Sequence, residues 1–157
     1  MPLTPVRNAT PGDAATLAAL NRHVQSWHAA HFPEAFYPEP DQKALTAYFA
    51  GRLSDPACTA FLSGDPASGY ALCQLHLREA SVFSPGYRRL MIDHIAVAPE
   101  ARRQGQGRAL LQAARALARR LEADEIMLDT WVANTEAQAF FRAEGFAPRR
   151  MLFRATP

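Results

Sequence analysis

Ile92-Asp93-His94-Ile95-Ala96-Val97-Ala98-Pro99-Glu100-Ala101-Arg102-Arg103-Gln104-Gly105-Gln106-Gly107-Arg108-Ala109-Leu110-Leu111 decides how this chain folds. Its first third closes the run Arg89 to Ala98, where Leu90, Met91, Ile92, Ile95 and Val97 predict a buried strand interrupted only by Asp93 and His94. Its last residues open a helix with Leu110, Leu111, Ala114, Leu117, Ala118 and Leu121 on one face. Between them stands a turn with two glycines among three arginines. Backbone N–H groups at a helix start lack intrahelical acceptors, and the helix dipole leaves that end partly positive. Glycine lets an anion come close to that backbone, so strand, glycine turn and helix together make a phosphate site. Two familiar versions do not fit. A P-loop needs Lys-Ser/Thr after its last glycine, and Gly107 is followed by Arg108-Ala109; a dinucleotide fingerprint needs a small residue where Leu110 stands.

Outward from this stretch, strand-type and helix-type segments alternate. Pro5 to Ala9 predicts a strand, and Thr10-Pro11 starts a helix carrying Leu17, Leu20, Val24 and Trp27 at spacings of three and four, ending near Ala30. His31 to Pro40 is an aromatic, proline-rich loop, and Asp41 to Arg52 a second helix. Cys58–Leu62 and Ser68–Leu77 predict a hairpin around Ser63-Gly64-Asp65-Pro66. After the glycine turn come a strand over Ile126–Trp131, a helix over Thr135–Glu144 ended by Gly145, and a last strand over Arg149–Arg154. The expected order is β-α-α-β-β-β-α-β-α-β, an α/β (α+β) fold in one domain over residues 1–157.

Composition narrows the class. The 157 residues are 48% hydrophobic and 20% charged, enough apolar material for a core, which excludes a disordered tail. No apolar stretch approaches the roughly 18 residues of a membrane span, and Met1 to Pro5 shows no secretory signal. The charge of +2 is uneven: residues 1–98 hold 7 basic and 8 acidic side chains, residues 99–157 hold 10 and 7, and all ten of those bases are Arg. Paired guanidinium bonds suit a phosphate-bearing ligand. No basic run interleaves with aromatics, which argues against nucleic acid as partner. Cys58 and Cys73 form neither a zinc motif nor a disulfide framework and fit a reducing cytoplasm.

Together, Ile92-Asp93-His94-Ile95-Ala96-Val97, Arg102-Arg103-Gln104-Gly105-Gln106-Gly107, Leu110-Leu111 and the later Asn134, Ala137, Phe140-Phe141 and Gly145-Phe146 resemble the GNAT family of N-acetyltransferases. The resemblance implies a mixed, mostly antiparallel central sheet with helices on both faces. It implies acetyl-CoA as acetyl donor, no metal, and direct attack of a primary amine of a small molecule or peptide on the thioester. The amides of Arg102, Arg103, Gln104, Gly105, Gln106 and Gly107, with Arg108 beside them, would hold the pyrophosphate. Ile95, Ala96 and Val97 would pair with the pantetheine arm, leaving the thioester where this strand and the next splay apart. Asn134 would reach the pantetheine or cap its helix, two roles its position does not separate.

The attacking amine must lose a proton. Asp93 stands where many relatives carry an acidic base, and His94, with an ordinary pKa near 6.5, is adjacent. Strict alternation would put them on opposite faces, so one at most would enter the cleft; Asp93 is preferred. Phe141 occupies the place where many relatives carry a tyrosine that protonates the leaving thiolate, and it has no proton to give. Solvent or Tyr87 would then have to supply one. Relatives are often dimers, so a homodimer is an admitted assembly. The acceptor side is expected at Trp27, His28, His31, Phe32 and Glu34, with Phe36, Tyr37, Glu39 and Asp41 nearby. His28-x-x-His31 beside Glu34 fits capping or pocket lining better than metal. The alternative to an acetyltransferase is a non-catalytic acyl-CoA-binding protein of the same fold.

Overall fold

The computed structural model describes residues 4–157, so the first three residues of the N-terminal stretch tested above for a secretory signal lie outside it. Strand β1 (Val6–Asn8) leads through a short turn of 3₁₀ helix at Pro11–Asp13 into α1 (Ala14–His31) and α2 (Gln42–Ser54). Then follow β2 (Cys58–Ser63), β3 (Gly69–Arg78), β4 (Tyr87–Val97), α3 (Gln106–Arg120), β5 (Glu125–Met127) and α4 (Thr135–Ala143). Each start has a local cause. Asp41 accepts the Ala44 N–H at 2.6 Å and Asn134 accepts that of Ala137 at 3.1 Å, each supplying a missing helix-end acceptor.

The five strands lie in the order β1-β2-β3-β4-β5, antiparallel except for the parallel pair β4–β5. One face packs Phe61, Ala71, Cys73, Leu90 and Ile92 against Leu110, Leu111, Ala114 and Leu117 of α3 and Phe141 of α4. The other packs Ala60, Leu62, Tyr70 and Leu72 against Leu17, Ala18 and Leu20 of α1 and Phe49 of α2. Each fully buried leucine is worth about 1.5–3 kcal/mol. Helices on both faces of one mixed sheet is the architecture that the resemblance implies.

Three expectations need correction. β5 stops at Met127 instead of reaching Trp131, because its pairing with β4 ends at Met91–Met127. Arg149–Arg154 forms no strand: Pro148 removes an N–H just before it, and three-residue β5 offers little edge to pair with. The segment instead lies exposed, tied by Arg149 to Glu125 and by Arg154 to Glu34. Finally, β4 carries a bulge. Leu72 pairs with His94 but Cys73 with Ile92, leaving Asp93 as the extra residue and breaking the alternation expected there.

Candidate active site

Where β4 and β5 part, α1, α3 and α4 enclose a cavity of about 760 Å³. Ile95, Ala96 and Val97 form its floor. Arg102, Arg103, Gly105, Gln106, Gly107 and Arg108 close one end, and Asn134, Ala137, Phe140 and Phe141 make a side.

The closed end has the features an anion needs. Gly105 caps α3 with φ +81°, a left-handed conformation that glycine adopts without strain. The first N–H to find a backbone acceptor is that of Ala109, on the Gly105 carbonyl. Among the described residues, the six N–H groups from Arg103 to Arg108 have none. That row of free donors fits a pyrophosphate. The arginines differ: Arg108 pairs with Glu144 at 2.8 Å, Arg102 donates to the Val97 carbonyl at 3.2 Å, and Arg103 has no ion pair among the described residues. Gly107 has another reason to be glycine: a Cβ there would lie 3.0 Å from Cζ of Phe140. Gln106 turns its side chain inward, accepting from Ser63 Oγ and donating to Ser68 Oγ, both at 2.8 Å. Only its backbone N–H is left for a ligand.

The bulge puts Asp93 and His94 on the same face, toward α1 and α2. Asp93 accepts from Arg52 of α2 at 2.5 Å, with both side chains about one-fifth exposed. Arg52 also donates to Gln74, Tyr48 and Cys58. Burial works against its charge, yet the hydrogen bonds it donates to Asp93 and Cys58 prevail and raise its pKa. His94 Nδ1 lies 3.1 Å from the hydroxyl of buried Tyr70, which accepts from Asn21 at 2.9 Å. With Asn21 donating, the Tyr70 proton goes to Nδ1, so neutral His94 carries its own proton on Nε2. Burial pushes the His94 pKa below its ordinary value; Asp93 opposes this, while Arg52 and His28 add to it.

A sequence profile of the acetyltransferase (GNAT) family matches residues 21–146, spanning the cavity, the turn and both strands around the split. The chain belongs to the GNAT family. Its fold is similar to that of the BH1408 protein of Bacillus halodurans (tetramutant; TM-score 0.88, 18% identity, 98% of this chain and 99% of that one). It is also similar to a protein of Arthrobacter sp. FB24 described as an acetyltransferase (TM-score 0.74, 25% identity, 100% and 97%). A third likeness is to aminoglycoside N-acetyltransferase AAC(6')-Iy in complex with CoA (TM-score 0.77, 18% identity, 98% and 95%). No curated protein matches the chain by sequence.

Where the sequence led us to expect the acceptor, the aromatic residues come together. Trp27 stacks on His31 with centroids 4.0 Å apart, His28 on Phe36 at 4.6 Å, and Phe32 on Trp131 at 4.0 Å. Burial lowers the pKa of His28, against the nearby Asp129 carboxylate. Glu34 points away to Arg154 at 3.4 Å. No cluster of three metal-ligating side chains occurs among the described residues. Tyr87 lies at the far end of β4, between Arg78 and Arg89, and does not reach the cleft. Sequence reasoning missed His23, which lines the cavity, and Trp131, Tyr70, Asn21 and Arg52. Asn21 had a signal, being a polar residue beside Leu17 and Leu20 on the buried stripe of α1.

Proposed function

We propose that this GNAT domain transfers an acetyl group from acetyl-CoA to a primary amine. The observation that carries the reading is the row of free N–H donors at Arg103–Arg108, at the closed end of a cavity whose floor is the unpaired edge of β4. The turn holds the pyrophosphate, and Ile95, Ala96 and Val97 align the pantetheine arm as an added strand would. Asn134 already uses Oδ1 as a helix cap, which leaves its amide nitrogen for the arm. The amine nitrogen then bonds to the thioester carbonyl carbon, the carbon–sulfur bond breaks, and the sulfur leaves with the electron pair. Asp93 and His94 stand together on the β4 face toward α1 and α2, next to Ile95 but outside the lining of the cavity itself, and in this reading one of them accepts the amine proton. His94 can take a proton at Nδ1 only when the Tyr70 hydroxyl gives that nitrogen up, whereas the Asp93 carboxyl is held in place by Arg52. The free thiols Cys58 and Cys73 support a reducing cytoplasm as the compartment.

One observation favours the alternative, a non-catalytic acyl-CoA-binding protein. Phe141 is a buried wall residue, and among the described residues no tyrosine lines the cavity to protonate a leaving thiolate. A thiol of pKa about 8.5 leaves tolerably without an acid, so transfer does not require one. The deciding experiment sets coenzyme binding by calorimetry beside thiol release over an amine panel. Binding with turnover supports transfer. Binding without turnover on any amine supports the binder, and absence of binding refutes both.

A further inference from the structure

The acceptor side has a chemical character of its own. From Trp27, which lines the coenzyme cavity, aromatic rings continue without a gap to the end of the chain segment beyond β5. Phe36 meets Trp131 edge-on at 5.6 Å, and His28 lies 6.4 Å from the same indole. Trp27, His28, Phe32 and Phe36 are half-buried and Trp131 is 39% exposed, so part of this apolar surface faces solvent at the mouth of the split. Grouped rings left partly wet beside a cleft mark a ligand surface. Burial keeps His28 neutral near pH 7, so it adds no positive charge to the wall.

The carboxylates nearby are mostly engaged. Asp93 is held by Arg52, Glu34 by Arg154, and Asp41 by the start of α2. That leaves Asp129, near His28 and without an ion pair among the described residues, the exposed Glu39 farther along the loop, and Glu136, which lines the coenzyme cavity. A polycation needs several free carboxylates to replace its water. A monoamine needs one.

We propose that the acceptor is a primary amine with a single positive charge on an aromatic body, stacked against the wall formed by Trp27, His28, Phe32, Phe36 and Trp131, with Asp129 facing its ammonium. This rests on the acetyl-transfer reading and narrows its substrate class. An aromatic ring gains offset or edge contacts from this wall that an aliphatic chain or a sugar lacks. Trp131 acts as a specificity residue outside the coenzyme cavity.

The chain's two tryptophans, Trp27 and Trp131, both belong to the wall, so intrinsic fluorescence reports on it directly. The full chain, saturated with CoA, is titrated with 2-phenylethylamine, n-butylamine, spermidine and neamine. Thiol release is measured on the same amines with acetyl-CoA. The expected result is saturable fluorescence change with 2-phenylethylamine and a KM at least tenfold below those of the other three. Trp131→Ala should raise that KM about tenfold and leave the Kd for CoA unchanged, which also shows that the variant is folded. Preference for spermidine or neamine, or an unchanged KM in Trp131→Ala, overturns the proposal while leaving acetyl transfer standing. If coenzyme binds but no amine turns over, the transfer reading falls and fluorescence still decides: saturation by 2-phenylethylamine supports the aromatic site, and no change refutes it.

Discussion

Replacing Tyr70 by Phe removes one oxygen atom from the centre of the α1–sheet interface. Tyr70 is 0% exposed and Asn21 6%. Without the hydroxyl, the Asn21 amide loses its acceptor at 2.9 Å and His94 Nδ1 its donor at 3.1 Å. An unmet buried polar group costs about 1–3 kcal/mol, so Tyr70→Phe should lose about 2–3 kcal/mol at pH 7.5. For a domain of this size that is roughly 5–10 °C in Tm. Urea denaturation measures it. Asn21→Leu with Tyr70→Phe makes both ends apolar, and the double variant should be more stable than the two single losses predict, by about 1 kcal/mol or more. The pH dependence gives an independent reading. The native pKa of His94 lies below its unfolded value, so its share of stability is complete above about pH 6.5 and is lost as pH falls through the native pKa. Protonating Nδ1 in the wild type also displaces the Tyr70 proton, a cost absent in the Phe variant. The two stabilities should therefore converge between pH 7.5 and 5.5. The charged or titratable groups around the ring are Arg52, Tyr48, Asp93 and His28, none of them altered by the substitution. ¹⁵N spectra should show the wild-type proton on Nε2. A loss under 0.5 kcal/mol, a gap that widens in acid, or a proton on Nδ1 would refute the reasoning.

Three other substitutions test the cleft. Gly105→Glu adds a side chain where nothing lies within 4 Å, so its φ of +81° costs only about 1–2 kcal/mol of stability, yet its charge should abolish coenzyme binding in calorimetry. An unchanged Kd sinks the site assignment. Asp93→Asn should reduce kcat about a hundredfold or more with the coenzyme Kd retained, and destabilise the fold by about 1.5–3 kcal/mol through Arg52. Full activity in steady-state assays removes Asp93 as base. Gln106→Leu leaves the buried Ser63 hydroxyl without its acceptor and should cost about 1–3 kcal/mol in denaturation, with coenzyme affinity intact; a large rise in Kd would show that the amide side chain, not the backbone, meets the ligand.

The parts legible in the sequence are those set by local pattern. The apolar stripe from Leu110 to Leu117 and the glycine at 105 specify a helix and its left-handed cap without reference to the rest of the chain. The misreadings depend on partners distant in sequence. Met151-Leu152-Phe153 has the composition of a strand, but a strand exists only where another edge accepts it, and β5 is three residues long. Trp131 read as the end of a strand, whereas Phe32, almost a hundred residues away, takes it as a stacking partner. Tyr70 and Asn21 lie 49 positions apart, so only the polar intrusion on an apolar stripe hinted at their bond.

The bulge at Asp93 joins these threads. β4 leaves β5 after Met91, and the unpaired residue comes two positions later. A bulge bends its strand and increases the local twist, so the second half of β4 turns away from β5 just where the cavity begins. The same inserted residue shifts the alternation by one, which brings Asp93 and His94 to one face while Ile92 and Ile95 keep their places against α3. Without it, one of the two polar side chains would face the apolar packing of Leu110 and Leu111, at a cost of several kcal/mol for a buried unpaired charge. An Asp-His pair inside an apolar strand is therefore compatible with burial only if the strand is irregular there. The sequence pattern that makes the pair look catalytic also requires the distortion that opens the cleft.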